Sequence, residues 1–261
     1  MKYGFIGCGH MGSAIARALS KATPDFMITD RSGKAKSFAR EIGAVYGDNI
    51  TAAQECDRLL LCIKPQMMEA VLSPLAPILQ KKKPLLITMA AGLEMAKIET
   101  FAGTHLPVIR IMPNTPVAVG KGMIPYCANS LVEDSVLQDF LNDMRFCGAL
   151  DAIEETMMDA VSALSGSGPA YFYLYMAAMA EGAVACGLPR DKALRYAGET
   201  MAGAAEMILV SQGDPYALAD AVCSPGGSTI EGVKVLRQQN LADTVSQCIQ
   251  AAYRRNQELG K

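Results

Sequence analysis

Six short apolar runs, separated by polar stretches of helical period, mark the first 112 residues. They span residues 3–6, 26–29, 43–46, 58–63, 85–89 and 107–112, too short for helices, and read as β-strands. Residues 58–63 form an almost continuous apolar run, the pattern of a parallel strand buried on both faces. After the first run Met11, Ala14, Ile15, Ala18 and Leu19 recur at helical spacing, and Asn49 precedes a brief helical stretch. Such alternation predicts an α/β fold with a doubly wound, mostly parallel sheet and right-handed crossovers. Residues 122–127 and 148–153, flanking a helix near 133–146, read as further strands closing that sheet.

From Thr156 the strand signal nearly vanishes, which places a domain boundary there and divides the chain into 1–155 and 156–261. Leu164-Ser-Gly-Ser-Gly-Pro169-Ala-Tyr171 starts a long apolar helix, with Ser167 or Gly168 as its cap and Pro169 in its first turn. Gly182 interrupts this helix without ending it, and Gly187-Leu-Pro189 stops it. A second helix, about 190–211, carries Ala193, Ala197, Met201, Ala204, Ala205 and Ile208 on one face. Both helices are apolar nearly all round, yet Glu181, Glu199 and Glu206 interrupt them, so they read as a subunit interface and not as membrane spans.

The chemistry gathers at two glycine-rich helix starts. In the first, Gly7-Cys-Gly9-His-Met-Gly12 follows the opening strand. Gly7 would make the turn, Gly9 would admit a phosphate close to the backbone, and Gly12 would let helix and strand pack closely. The free N–H groups and positive dipole end of the helix suit a pyrophosphate, although the same spacing also serves as a plain structural turn. Asp30-Arg31-Ser32, about twenty residues on, should meet an adenosine ribose. Asp30 favours a free 2′-hydroxyl and so NAD; Arg31, Ser32, Lys34 and Lys36 favour a 2′-phosphate and so NADP. The balance leans to NADPH, while Ser32 could equally be a helix cap. Lys64-Pro65-Gln66, Ala90-Ala91-Gly92 and Pro113-Asn114-Thr115-Pro116 stand at the carboxyl ends of later strands, where ligands of such sheets bind. The second start, Ser224-Pro-Gly226-Gly227-Ser228-Thr229, offers N–H groups and hydroxyls to a small carboxylate; simple capping by Ser228 or Thr229 explains it as well.

Composition narrows the partners. Hydrophobic residues make up 51% and charged residues 19%, with sixteen Met and no Trp, an apolar excess that predicts an oligomer. A net charge of −2 leaves no electrostatic footprint for nucleic acid or an anionic membrane, so the partner is a small molecule. Eight cysteines without a Cys-x-x-Cys pair, and no leader ahead of the first strand, predict reduced thiols in a cytoplasmic protein. Only His10 and His105 are present, too few for a histidine-rich metal site, and none is expected.

Taken together, the glycine turn, Ile63-Lys-Pro-Gln66, Arg110-Ile-Met-Pro-Asn-Thr-Pro116, 164–171, Gly187-Leu-Pro-Arg190 and 224–229 resemble the pyrroline-5-carboxylate reductase family across nearly the whole chain. The resemblance implies a Rossmann domain, then an all-α dimerisation and substrate-binding domain that interlocks with its partner's, and often a ring of five dimers. It implies that NAD(P)H reduces 1-pyrroline-5-carboxylate to L-proline. Carried over, it assigns the cofactor to Ile6, Gly7, Cys8, Gly9, His10, Met11 and Gly12, to Arg31, Ser32 and Asn49, to Cys62, Ile63, Lys64 and Pro65, and to Met89, Ala90, Ala91 and Asn114. It assigns the substrate to Ser224, Gly226, Gly227, Ser228 and Thr229, with the Thr229 hydroxyl facing the imine nitrogen. Asp30 is an unusual neighbour for a 2′-phosphate, and Ser228 stands where Ala or Thr is common. A β-hydroxyacid dehydrogenase is a rival, but its chemistry wants a lysine on the helix after Ser167-Gly168, which offers none before Lys192. A dinucleotide sensor without catalysis is the non-enzyme rival.

Overall fold

The computed structural model describes residues 2–23 and 25–259. Its strands are β1 (Tyr3–Ile6), β2 (Phe26–Thr29), β3 (Val45–Tyr46), β4 (Arg58–Leu61), β5 (Leu85–Thr88), β6 (Val108–Ile111), β7 (Gly122–Ala128) and β8 (Gly148–Ala152). They form one sheet in the order β3-β2-β1-β4-β5-β6-β7-β8, parallel throughout except where β7 runs antiparallel to β6. Connecting helices are α1 (His10–Leu19), α2 (Gly33–Glu41), α3 (Asn49–Glu55), α4 (Met68–Leu72), α5 (Ala76–Lys82), α6 (Met95–Ala102) and α7 (Asp134–Met144).

Period-two alternation sends successive side chains to opposite faces of the sheet. Leu59 and Leu61 of β4 join Ile6, Met27, Leu86 and Val108 in one buried cluster, with Met68, Leu72 and Ile98 from α4 and α6. Leu60 joins Phe5, Ile28, Ile87 and Ile109 in the other, with Ile15, Leu19, Phe140 and Met144 from α1 and α7. Burial on both faces is why 58–63 reads as an apolar run. The strands end sooner than those runs, however: β4 stops at Leu61, with one further bond from the Cys62 amide to the Ile6 carbonyl (2.8 Å), and β5 stops at Thr88.

Arg58 opens β4 yet is buried, and a polar cluster compensates it. Its guanidinium donates to the Tyr3 hydroxyl (2.7 Å) and to Asp143 (3.1 Å) and also pairs with Asp139, while Lys2 reaches Asp143 at 2.8 Å. Burial pushes the Tyr3 hydroxyl well above its ordinary value, so it stays protonated and donates to Asp143 at 2.6 Å.

Past the sheet come α8 (Met158–Val161), a π-helical turn (Ser162–Gly166), α9 (Gly168–Ala185), α10 (Arg190–Ser211), α11 (Pro215–Ala221), α12 (Ser228–Gln238) and α13 (Leu241–Leu259). The chain divides into two compact units: one runs to Ser167 and regains the stretch from Ala252 onward, the other is Gly168–Ala251. The division falls later than the end of the strand pattern near Thr156 because the intervening residues pack on the sheet domain. Met158 and Val161 join its core, and Glu155 accepts from buried Arg110 (3.1 Å) and from the Met95 amide (2.7 Å). The last helical turn returns to this unit through Asn256, which donates to the Asp159 carbonyl at 3.0 Å.

Neither Ser167 nor Gly168 caps a helix start. Helix continues through the π turn, in which the Ser167 amide bonds the Ser162 carbonyl (3.0 Å). The cause is Pro169: it has no N–H for the carbonyl four residues back, that of Ser165. In the second unit, α9 and α10 follow the expected limits, and Phe172, Leu174, Leu209 and Val210 stand exposed on the single chain. No helix among the described residues is long and apolar enough to cross a membrane.

Candidate active site

The three glycines of the first turn perform three separate tasks. Gly7 has φ +96°, and a Cβ there would lie 2.7 Å from the Cys62 carbonyl oxygen, so only glycine makes this turn. A Cβ on Gly12 would come within 2.9 Å of both the Gly7 carbonyl and the Cys62 Cβ, so its absence lets α1 lie against the strand ends. Gly9 differs: among the described residues nothing lies within 4 Å of an added Cβ, and Gly9 is the N-cap of α1 with no side-chain cap. That open space, beside a helix start whose N–H groups face outward, fits a pyrophosphate.

A cleft of about 860 Å³ opens here, at the carboxyl ends of β1, β2 and β4. The strand order reverses between β1 and β4, the place where doubly wound sheets take their ligands. Ile6, Gly7, Gly9, Arg31, Asn49, Cys62, Ile63 and Lys64, all assigned to the cofactor in the sequence reading, line it. Cys62 and Ile63 follow directly on the end of β4 at Leu61, at the carboxyl edge on which the cleft opens. Thr29, Asp30, Tyr46, Gly47, Asp48, Ile50, Met67 and Val71 line it as well. Of these, Gly47 and Asp48 follow from topology, since β3 lies beside β2 and its end must open on the same cleft. Met67 and Val71 are apolar wall, with no polar signature by which a sequence would reveal them.

Around the cleft the polar groups are closely linked. The Thr29 hydroxyl shares its single proton between the Asn49 side-chain carbonyl at 2.5 Å and the Phe5 carbonyl at 3.1 Å. Asn49 is the first residue of α3 and not its cap; Asp48 caps by accepting from the Thr51 amide (2.9 Å). Ser32 is the N-cap of α2 by position but makes no side-chain capping bond. The Tyr46 hydroxyl donates to the Asp30 carbonyl at 2.8 Å, and the Asp30 carboxylate accepts from the amides of Cys8 (2.6 Å) and Ser32 (2.7 Å). Burial and then the Asp30 charge push the Cys8 thiol up to about 11, so Cys8 stays neutral.

Cys8, Ser32 and Pro65, in the same loops, and His10, Met11 and Gly12, in the first turn of α1, do not line the cleft, and neither Met89, Ala90 and Ala91 nor Asn114 does so. The latter two groups stand beyond β5 and β6, on the same carboxyl edge of the sheet. Asn114 is engaged elsewhere. Its Nδ2 donates to the Ser165 carbonyl (3.1 Å) and its Oδ1 accepts from the Met123 amide (2.9 Å). It thereby supplies the donor that Pro169 withholds.

In the second unit, Gly226 takes φ +71° and Gly227 is the N-cap of α12, again with no side-chain cap. Capping by Ser228 or Thr229 is therefore not what holds this helix start. The Gly227 amide bonds the Ser224 carbonyl at 3.0 Å, and a Cβ on Gly227 would collide with the Ser224 hydroxyl at 2.3 Å. Ser224, Gly226, Ser228 and Thr229 are exposed on the single chain.

A sheet of this order, with a glycine turn and a cleft at its switch point, defines a dinucleotide-binding protein of the Rossmann type, here followed by a helical unit. Residues 155–259 match the family model described as pyrroline-5-carboxylate reductase dimerisation, and residues 2–92 match that of NADP oxidoreductase, coenzyme F420-dependent. The chain is 38% identical to the pyrroline-5-carboxylate reductase of Synechocystis, over all of this chain and 99% of that one, and 35% identical to that of Escherichia coli, over all of this chain and 98% of that one. Among solved structures, a Plasmodium falciparum pyrroline carboxylate reductase with NADP bound matches with a TM-score of 0.91 at 31% identity, covering 100% of this chain and 98% of the other. The chain belongs to the pyrroline-5-carboxylate reductase family.

Proposed function

We propose that this protein reduces 1-pyrroline-5-carboxylate to L-proline, with NADPH the favoured donor and NADH an alternative. The observation that carries the reading is the turn around Gly9: an open, uncapped helix start at the switch point of a chain related end to end to reductases of that name. When bound, the nicotinamide cofactor supplies the hydride for the imine carbon. The chain's own residues bind and orient. The α1 N-terminus holds the pyrophosphate and Arg31 and Ser32 take the 2′-phosphate, as charge and position favour. Asn49, with Cys62 to Pro65 and Met89 to Ala91, completes the cofactor site. The loop from Ser224 to Thr229 takes the substrate carboxylate at the α12 helix start. Thr229 hydrogen-bonds the imine nitrogen and fixes its orientation; an ordinary hydroxyl is too weak an acid to protonate it alone at neutral pH. Most of the rate then comes from proximity.

The exposed apolar faces of α9 and α10 support a homodimer through the helical unit; a ring of five such dimers, in the cytoplasm, is what the family resemblance implies. Sedimentation would measure the assembly. NADPH oxidation, followed by absorbance on adding 1-pyrroline-5-carboxylate with NADH in parallel, tests the activity. Proline should appear, and cofactor binding without turnover would refute the reading. Thr229→Ala should lower turnover and leave NADPH affinity nearly unchanged; undiminished turnover would remove Thr229 from the mechanism.

A further inference from the structure

We propose that Asp30 is a positioning residue that latches the glycine turn, and not an acceptor for the cofactor's ribose. The inference rests on the dinucleotide reading of the cleft. At the end of β2 an acidic side chain ordinarily projects toward the adenosine ribose and accepts from its 2′-hydroxyl. Here the carboxylate turns back into the protein. β1 and β2 pair in register up to Ile6 and Thr29, and the Gly7 amide extends the ladder by one bond to the Thr29 carbonyl (2.8 Å). Where the backbone ladder stops, the Asp30 side chain continues it: Oδ2 accepts from the Cys8 amide at 2.6 Å, and Oδ1 accepts from the Ser32 amide at 2.7 Å. Both oxygens are thus engaged by backbone donors, one on each of the two loops that flank the cleft. Tyr46 fixes the same residue from the third loop through its backbone carbonyl (2.8 Å). Burial alone would raise the Asp30 carboxyl, but the Ser32 and Cys8 bonds outweigh it and hold it below the usual carboxylate range, so the latch is ionised at neutral pH.

Two consequences follow for the cleft. The middle residue of the glycine turn is clamped to β2, which sets where the open side of Gly9 faces. The negative charge of Asp30 is also compensated by two N–H dipoles, which leaves the exposed Arg31 to govern the 2′ end.

The test is calorimetric titration of NADPH and NADH into the wild-type apoprotein, Asp30→Ala and Asp30→Asn. A latch acts on the turn that both cofactors share. Asp30→Ala should therefore weaken both by about ten-fold, the scale of a charged hydrogen bond, with their ratio held within about three-fold. Asp30→Asn keeps one acceptor oxygen and should recover part of the loss. A ribose acceptor behaves differently: Asp30→Ala would weaken NADH alone and leave NADPH unchanged or tighter, and that result overturns the proposal. Should Asp30→Ala fail to fold, amide exchange in the wild-type apoprotein decides, since a latched Cys8 N–H is protected and fast exchange there refutes the latch. A wild-type preference for NADH would contradict the NADPH reading yet leave the parallel loss intact, so the two ideas fail separately.

Discussion

Replacing Asn114 with alanine removes one side chain and orphans two backbone groups. The Met123 amide loses its acceptor and the Ser165 carbonyl its donor, and Pro169 cannot stand in for the latter. An unsatisfied buried polar group costs about 1–3 kcal/mol. Asn114 is 9% exposed, so water can partly reach the site and the lower half of that range applies to each group. The sum is about 3 kcal/mol, which at roughly 2–4 °C per kcal/mol predicts a fall in Tm of about 6–12 °C. Differential scanning calorimetry at neutral pH measures it. Asn114→Asp is the sharper comparison: one oxygen still accepts from Met123, while the other confronts the Ser165 carbonyl with no hydrogen between them. That variant should be at least as unstable as the alanine at pH 7 and should regain stability as acid protonates the carboxyl. Adding Pro169→Ala to Asn114→Ala offers Ser165 a backbone N–H, so the double variant should fall short of the sum of the singles. A Tm for Asn114→Ala within about 1 °C of wild type would refute the account.

Gly9→Ala should fold normally, because its Cβ enters open space, yet bind NADPH at least ten-fold more weakly by titration; Gly12→Ala, with its Cβ 2.9 Å from the Gly7 carbonyl, should lower Tm even without cofactor. Arg58→Leu strips Tyr3, Asp139 and Asp143 of their shared donor and should cost about 3 kcal/mol in urea unfolding, the lower end of the range for a broken buried pair because Lys2 remains beside Asp143. The Asp139 carboxyl is lowered because Arg58 and Lys2 together outweigh the opposing effect of burial. Its contribution is therefore present above the unfolded pKa of about 3.9 and lost as pH falls through the folded value, and Arg58→Leu should flatten the acid limb of the stability profile.

Much of the fold could be read from the chain because parallel strands buried on both faces leave a hydrophobic record that needs no partner to interpret. β1 and β2 fall where the pattern puts them, and β7 and β8 within a residue. The glycine turn was legible for a related reason: left-handed backbone, an open approach and close helix packing each demand the absence of a side chain, and that demand is written in residue type. Gly7, Gly9 and Gly12 show all three in space.

Side-chain polarity carries no such local record. Asp30 has the same sequence neighbours whether it faces a ribose or the Cys8 amide, and only the pairing of β1 with β2 brings that amide to 2.6 Å. Asn114 stands at a strand end where cofactor contacts are expected, but its partner is a carbonyl that Pro169 leaves vacant, 51 residues further along the chain. Arg58 sits in an apolar run and is buried only because Tyr3, Asp139 and Asp143 converge on it from two other elements. The backbone conformation of the glycine turn and the burial of the apolar runs are decided over a few residues, and so the sequence by itself determined them here. Where a carboxylate, amide or guanidinium finds its partner depends on distances between elements remote in the chain, and the tertiary structure alone decided those.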